Sequence, residues 1–300
     1  TLDEAVILRK KGIEKPILVL GTVFPDQRAA MIEHEVRMTL YTEEMAAEVS
    51  DLATRMGKDV HIHIKLDTGM SRLGFPICEE SADAIERISK MPHLQMEGMF
   101  THFAKADEED KSFTEKQLNA YLWMKQRLEE KGVQFSYYHC SNSAGIIDVP
   151  EANMDLVRAG ISIYGLYPSG EVNKANVPLK PALQWVSHVA HVKWVEAGTP
   201  VSYGGTYVTD RRTKLATIPV GYGDGYPRSL SNKGYVLIKG QKAPIRGRVC
   251  MDQMMVDVTE IDDVAYEDQV ILVGRDGEEE LPVEVLSDLS GRFNYEFVCD

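Results

Sequence analysis

Residues 60–74 read VHIHIKLDTGMSRLG. Val60–Leu66 sets β-branched and leucine side chains against polar ones, the pattern of a strand, and Gly69 and Gly74 place a loop after it. A helix-period run, Glu43–Met56, ends at Gly57 just before this strand, and a second, Ser81–Lys90, follows the loop and leads to another strand, Leu94–Phe100. Strand, helix and strand in that order imply parallel strands joined by helical crossovers. Lys65 alternates with Ile62 and Ile64 and so points into the enclosed side of the sheet. An unpaired ammonium there is costly, and the position predicts a lysine that is paired, deprotonated or modified.

The same alternation extends both ways. Toward the N-terminus come a helix over 2–12, a strand at Ile17–Leu20, a helix near 27–35 and a strand at Arg37–Tyr41. Toward the C-terminus come a long helix at Phe113–Lys131, a strand at Phe135–Cys140 and a last strand-like run, Leu156–Tyr164. About six strands are legible where a closed (β/α)8 barrel needs eight. Either the sheet is open or about two βα units lie upstream of Thr1. The Thr1–Glu4 capping box, which opens a helix at the very first residue, favours the second reading. The expected fold class is therefore α/β, a TIM-type barrel with its first strands missing, over residues 1–175. From 176 to 300 the texture changes to short β-rich runs between Gly, Asp and Asn turns, with helix only near Val283–Leu289, which predicts an all-β second domain. The polar, proline-bearing stretch Glu171–Pro181 reads as the linker.

Composition narrows the function. Of 300 residues, 44% are apolar and 26% charged, an ordinary globular mix. The 33 basic against 46 acidic residues leave a net charge of −13, which disfavours a nucleic-acid partner. No run approaches the roughly 18 apolar residues of a membrane helix. Four scattered cysteines, Cys78, Cys140, Cys250 and Cys299, suggest neither a disulfide framework nor a zinc site and fit a cytoplasmic protein. His61 and His63 share one face of a strand but show no third ligand, so no metal is expected.

In a barrel, polar residues at the C-terminal strand ends line the active site. Arg72 on its glycine-bearing loop can clamp a carboxylate or phenolate, though a plain surface turn reads equally well. His102 ends the run Leu94–Phe100, either as a satisfied core histidine or as a catalytic one. Asn142 and Ser143 suit phosphate recognition, though a plain turn reads equally well, and Arg158 with Gly160 falls where barrels often build such a site. In the second domain, the loops around Tyr203, Tyr222 and Met251 are rich in glycine or otherwise unusual, and the bland reading of each is a β turn.

Taken together these strings resemble the alanine racemase family of pyridoxal-phosphate enzymes. KLDTGMSRLGF (65–75), MFTHFAKADE (99–108), HCSNSAG (139–145), VRAGISIYGLYPS (157–169), VSYGGTY (201–207), IPVGYGDGYPR (218–228) and RGRVCMDQMMVDV (246–258) occur in the family's order across nearly the whole chain. The resemblance implies a barrel followed by a β domain, a homodimer with shared active sites, and interconversion of L- and D-alanine by two bases, supplying D-alanine for peptidoglycan. It implies that Arg158 donates to the pyridine nitrogen of pyridoxal 5'-phosphate, and that Ser143, Gly160 and Ile161 hold its phosphate. Tyr203 would be the base for L-alanine, linked to Arg158 through His102. Arg72 and Met251 would meet the substrate carboxylate, with Lys65 as a carbamylated lysine that positions Arg72. Asp107, Tyr222, Arg228 and Arg248 match the substrate corridor. The family's Schiff-base lysine, on a loop of the type VKANAYGHG, has no match in these residues. A serine or lysine racemase would keep most of the same strings, and a non-catalytic cofactor-binding barrel would lack the second domain.

Overall fold

The computed structural model describes residues 1–299, and contacts divide it into two units, Thr1–Leu179 and Lys180–Asp300, of which Asp300 lies outside the described residues. The first unit runs α1 (Leu2–Lys10), β1 (Leu18–Val19), α2 (Pro25–Glu33), β2 (Arg37–Leu40), α3 (Glu43–Met56), β3 (Val60–Asp67), β4 (Phe75–Pro76), α4 (Glu79–Ser89), β5 (Leu94–Phe100), α5 (Ser112–Glu130), β6 (Tyr137–His139) and α6 (Ser143–Asp148). Strands β1, β2, β3, β5 and β6 lie side by side in that order, all parallel, and β4 pairs with the end of β3. Sequential parallel neighbours with intervening helices are the βα repeat of a barrel wall.

Local signals explain the elements. Thr42 caps α3, its hydroxyl accepting from the Met45 N–H at 3.1 Å, and Met45, Ala46, Val49 and Ala53 form the face it buries. Five consecutive residues of β3, Ile62–Leu66, are buried, as a central parallel strand covered on both faces requires. Ile62, Ile64 and Leu66 join one core cluster with Met38, Leu40, Ala82, Ile85 and Ile88. His63 and Lys65 fill the opposite face and are buried too. The Thr1–Glu4 capping box is present.

Two expectations are corrected. Leu156–Tyr164 is not a strand: Ile161–Tyr164 is a 3-10 turn, and only the backbone before it runs beside β6, with Asp155 N–H donating to Tyr138 O at 3.1 Å and Arg158 N–H to Ser141 O at 3.0 Å. Gly160, at φ −107° and ψ −100°, ends that extended path. Glu171–Pro181 is not a loose linker. Val172 is buried in the first unit's core, the Asn173 N–H donates to Asp148, and the Tyr167 hydroxyl donates to Val177 O at 3.0 Å and accepts from the Leu179 N–H.

The second unit is antiparallel: β7 (Trp185–His188), β8 (His191–Val195), β9 (Pro200–Val201), β10 (Tyr207–Val208), β11 (Thr213–Ile218), β12 (Tyr235–Ile238), β13 (Gln241–Pro244), β14 (Met254–Asp257), β15 (Gln269–Asp276) and β16 (Glu279–Leu281), then α7 (Val283–Ser290) and α8 (Asn294–Cys299). One sheet has the order β14-β11-β8, another β13-β12-β15-β16 with β7 on β15, and β9 pairs with β10. Among the described residues no helix is long and apolar enough to cross a membrane.

Candidate active site

Arg158 is the centre of the first unit's polar cluster. Its Nη1 donates to His139 Nδ1 at 2.8 Å, and its Nη2 to Thr101 O at 2.7 Å and Cys140 O at 2.8 Å, with His102 Nδ1 at 3.4 Å. These partners all follow or end β5 and β6, so the strand ends aim them at one point. The guanidinium lies over the Phe100 ring at 5.4 Å, and burial lowers its pKa to about 10, which leaves it charged at neutral pH. Lys65, 5% exposed, donates to Leu66 O at 2.5 Å and lies 5.5 Å from the Phe100 centroid. Burial, with the charges of Arg158 and Arg72 against the help of Asp67, pulls its pKa down to about 8. Burial and those same cations hold His102 near 4, a neutral imidazole. Arg72 is exposed on the loop after β3, where Asp67 Oδ1 accepts the Gly69 and Ser71 N–H groups at 3.0 Å. None of Lys65, Arg72 and Arg158 is ion-paired among the described residues, so positive charge accumulates at these strand ends, from buried Lys65 through half-buried Arg158 to exposed Arg72.

Behind Arg158 runs a relay that the sequence did not disclose. Arginine can only donate, so His139 Nδ1 must accept and the ring carries its proton on Nε2. That N–H faces His63 Nδ1 at 2.9 Å, which puts the proton of His63 on Nε2, 3.2 Å from Glu97 Oε2. Both histidines must be neutral for this, and burial lowers both, His139 to about 2. Burial opposes the charge of Glu97, but the Arg37 guanidinium at 3.1 Å and the His63 N–H hold its carboxyl below the usual range. The register between β3 and β5 slips by one residue here: Ile62 pairs with Met96 and His63 with Gly98, leaving Glu97 as a bulge. Gly98 is required beside it, since a Cβ there would sit 2.2 Å from His63 Nδ1. His61 also reaches Glu97, at 3.3 Å, but the carboxylate the two histidines share is already paired with Arg37, and no cluster suited to a metal occurs among the described residues. His139 opens the string HCSNSAG, and its place at a strand end, like that of His102, was the available signal.

Ser143 Oγ accepts from the Gly160 N–H at 2.9 Å and the Ser162 N–H at 3.3 Å, which ties the start of α6 to the turn that Ile161 opens. Asn142 caps α6, accepting from the Gly145 N–H at 3.0 Å, with its amide near Phe103 O. Asp107 lies on the loop before α5, where its carbonyl accepts from the Ser169 hydroxyl at 2.6 Å.

The remaining predicted residues belong to the second unit. Tyr203 (71% exposed) opens a 3-10 turn after β9, and Met251 (55% exposed) lies on the loop before β14. The Tyr222 N–H donates to Cys250 O at 3.0 Å and the Gly223 N–H to Met251 O at 2.8 Å, so the Tyr222 and Met251 loops are stitched together. The Arg248 guanidinium packs against Gly204, and Arg228 lines an open surface depression with Tyr222 and Tyr226.

The models of the alanine racemase N-terminal and C-terminal domains match residues 1–168 and 182–300. Alanine racemases of Desulforamulus reducens and Clostridium tetani are 46% and 44% identical over 99% of this chain, which spans 80% and 77% of their lengths. Among solved structures, alanine racemase of Clostridium difficile superposes with a TM-score of 0.94 at 41% identity, covering 99% of this chain and 77% of that one. Alanine racemase of Bacillus anthracis with bound L-Ala-P gives 0.91 at 37% identity, covering 99% and 76%.

Proposed function

The chain belongs to the alanine racemase family, and from that premise we propose how its residues interconvert L- and D-alanine with pyridoxal phosphate. The observation that carries the assignment is Arg158, a half-buried guanidinium held by carbonyls and a neutral histidine rather than by a carboxylate. Two guanidinium groups without carboxylate partners, Arg72 and Arg158, beside neutral His102, are the donor set an anionic ligand needs, and pyridoxal phosphate fits it in charge and in hydrogen-bonding capacity. When bound, the cofactor supplies an electron-withdrawing ring that acidifies the α-C–H of the amino acid.

The protein's own residues do the rest. Arg158 would donate to the pyridine nitrogen and, being always protonated itself, would keep that nitrogen an acceptor. Ser143, Gly160 and Ile161 hold the phosphate, and Arg72 takes the phenolic oxygen and the substrate carboxylate. Tyr203 removes the α-proton of L-alanine. A neutral phenol is a weak base; His102, neutral and with Nδ1 facing the donor Arg158 Nη2, carries its proton on Nε2 and can donate that N–H to the phenolate oxygen, stabilising the basic form. Tyr203 and Met251 come from the partner subunit of a homodimer, which is supported by their exposure in the single chain. Lys65, with its lowered pKa, is the amine that takes up carbon dioxide: nitrogen bonds to carbon, one proton leaves, and the resulting carbamate anion pairs with Arg72. Asp107, Tyr222, Arg228 and Arg248 line the approach of the substrate. The D-alanine serves peptidoglycan synthesis, and the four free cysteines suit a cytoplasmic enzyme.

Tyr203→Phe tests the assignment, because it removes only the hydroxyl. Loss of solvent-proton exchange from L-alanine far beyond that from D-alanine is expected; small and equal losses would overturn it. Turnover of L-serine and L-lysine beside L-alanine separates the related racemases.

A further inference from the structure

Ser202, the residue before Tyr203, has φ +63° and ψ −175°, a conformation essentially reserved for glycine. A serine persists there only if its surroundings over-determine it. They do: its Oγ donates to Arg248 O at 2.6 Å and lies 3.4 Å from Cys250 Sγ, on the loop that carries Met251. The backbones meet closely at this point, since a Cβ on Gly247 would stand 2.5 Å from Val201 O and 2.7 Å from Ser202 Cβ. A second side chain spans the same gap. Asn232, also at positive φ, donates to Thr206 Oγ1 at 3.1 Å and accepts from the Gly247 N–H at 2.5 Å. Two polar side chains in left-handed conformations thus tie the 203–207 turn to the 247–251 loop within the second unit.

We propose that Ser202 is a positioning residue that fixes the Tyr203 phenol relative to the Met251 loop, with Asn232 as the second strut. The inference rests on the reading of Tyr203 as the base for L-alanine. The rigid link converts backbone strain into a fixed distance between the proton acceptor and the Met251 N–H that meets the substrate carboxylate, the geometry on which proton transfer depends.

Ser202→Ala and Ser202→Gly test it in the cofactor-loaded enzyme. Both lose the hydroxyl, while glycine also relieves the strained φ, so stability and positioning separate. Amides of 203–207 and 249–251 should exchange with solvent about tenfold faster in both variants, the loss expected for one hydrogen bond. The deuterium isotope effect on turnover of [2-2H]-L-alanine should rise while that of [2-2H]-D-alanine falls, because the Tyr203 step becomes the slower one. Unchanged exchange, or rates that fall equally in both directions with the ratio of isotope effects unchanged, would overturn the proposal. Tyr203→Phe is the control: if it too leaves the ratio unchanged, the base assignment fails; if it shifts the ratio and the Ser202 variants do not, the strut fails.

Discussion

Arg158 Nη1 stands 2.8 Å from His139 Nδ1, and because arginine has no lone pair to offer, that one contact fixes the proton on every imidazole between it and Glu97. A charged group at the site is thereby coupled, through two neutral rings, to a carboxylate on a bulge of β5. The relay orients the guanidinium and ends on a carboxylate that Arg37 already pairs, so no carboxylate stands beside Arg158.

Glu97→Gln keeps the shape and removes that charge. The amide can present either oxygen or nitrogen to His63, so the proton order of the relay is lost. Racemisation should fall about tenfold, the order of one charge-assisted hydrogen bond, and the 15N shifts of His139 and His63 should move. Unaltered shifts and rate would show that the relay does not act on Arg158.

Gly98→Ala places a Cβ 2.2 Å from a ring nitrogen of His63, which is itself packed and cannot retreat. A loss of about 1–3 kcal/mol in unfolding free energy is expected from such overpacking, read from the denaturant midpoint. A variant as stable as the parent would mean that His63 does not occupy this position.

Lys65 sets an alkaline signature. Its folded pKa of about 8 lies below the unfolded value near 10.4, so the unfolded chain binds more protons between these limits and stability rises with pH across that window. Lys65→Met should remove this rise, measured as the difference between the two unfolding curves from pH 8 to 10.5. With 13C-labelled bicarbonate, a carbamate carbon signal should appear in the parent and be absent from the variant. If the two pH curves run parallel, Lys65 is not the buried amine described.

His102 acts on the acid side. Its folded pKa near 4 is below the unfolded value of about 6.5, so its contribution is complete above 6.5 and is lost as pH falls toward 4. His102→Gln should therefore lose less stability than the parent over that interval. An equal loss would place His102 in solvent.

The βα order was legible because periodicity changes sharply between Glu43–Met56 and Val60–Asp67, and Leu94–Phe100 has the bounds its apolar run announces. Three features were not. Leu156–Tyr164 has strand-like composition, yet turns at Gly160 because Ser143 captures the amides of Gly160 and Ser162. Glu171–Pro181 looks like a linker because its side chains are polar, but its amides and Val172 are held by the first unit. Glu97 appears on its strand as an ordinary charged residue, and only the bulge, a property of two strands at once, shows its place in the relay. The site residues in the quoted strings were legible one by one. The single chain gathers Lys65, His102 and Arg158, and it keeps Tyr203 and Met251 in a separate unit.

That Arg158 holds pyridoxal phosphate for the racemisation of alanine is the proposal on which the other residue roles depend. It is tested most directly by titrating pyridoxal phosphate into the enzyme and into Arg158→Ala, with L-alanine present, while absorbance and D-alanine are recorded together. A saturable absorbance change and D-alanine formation are expected in the parent, with L-serine and L-lysine turned over far more slowly and both signals greatly weakened in the variant. Equal binding and equal D-alanine formation in Arg158→Ala, or a parent that binds no cofactor, would contradict it.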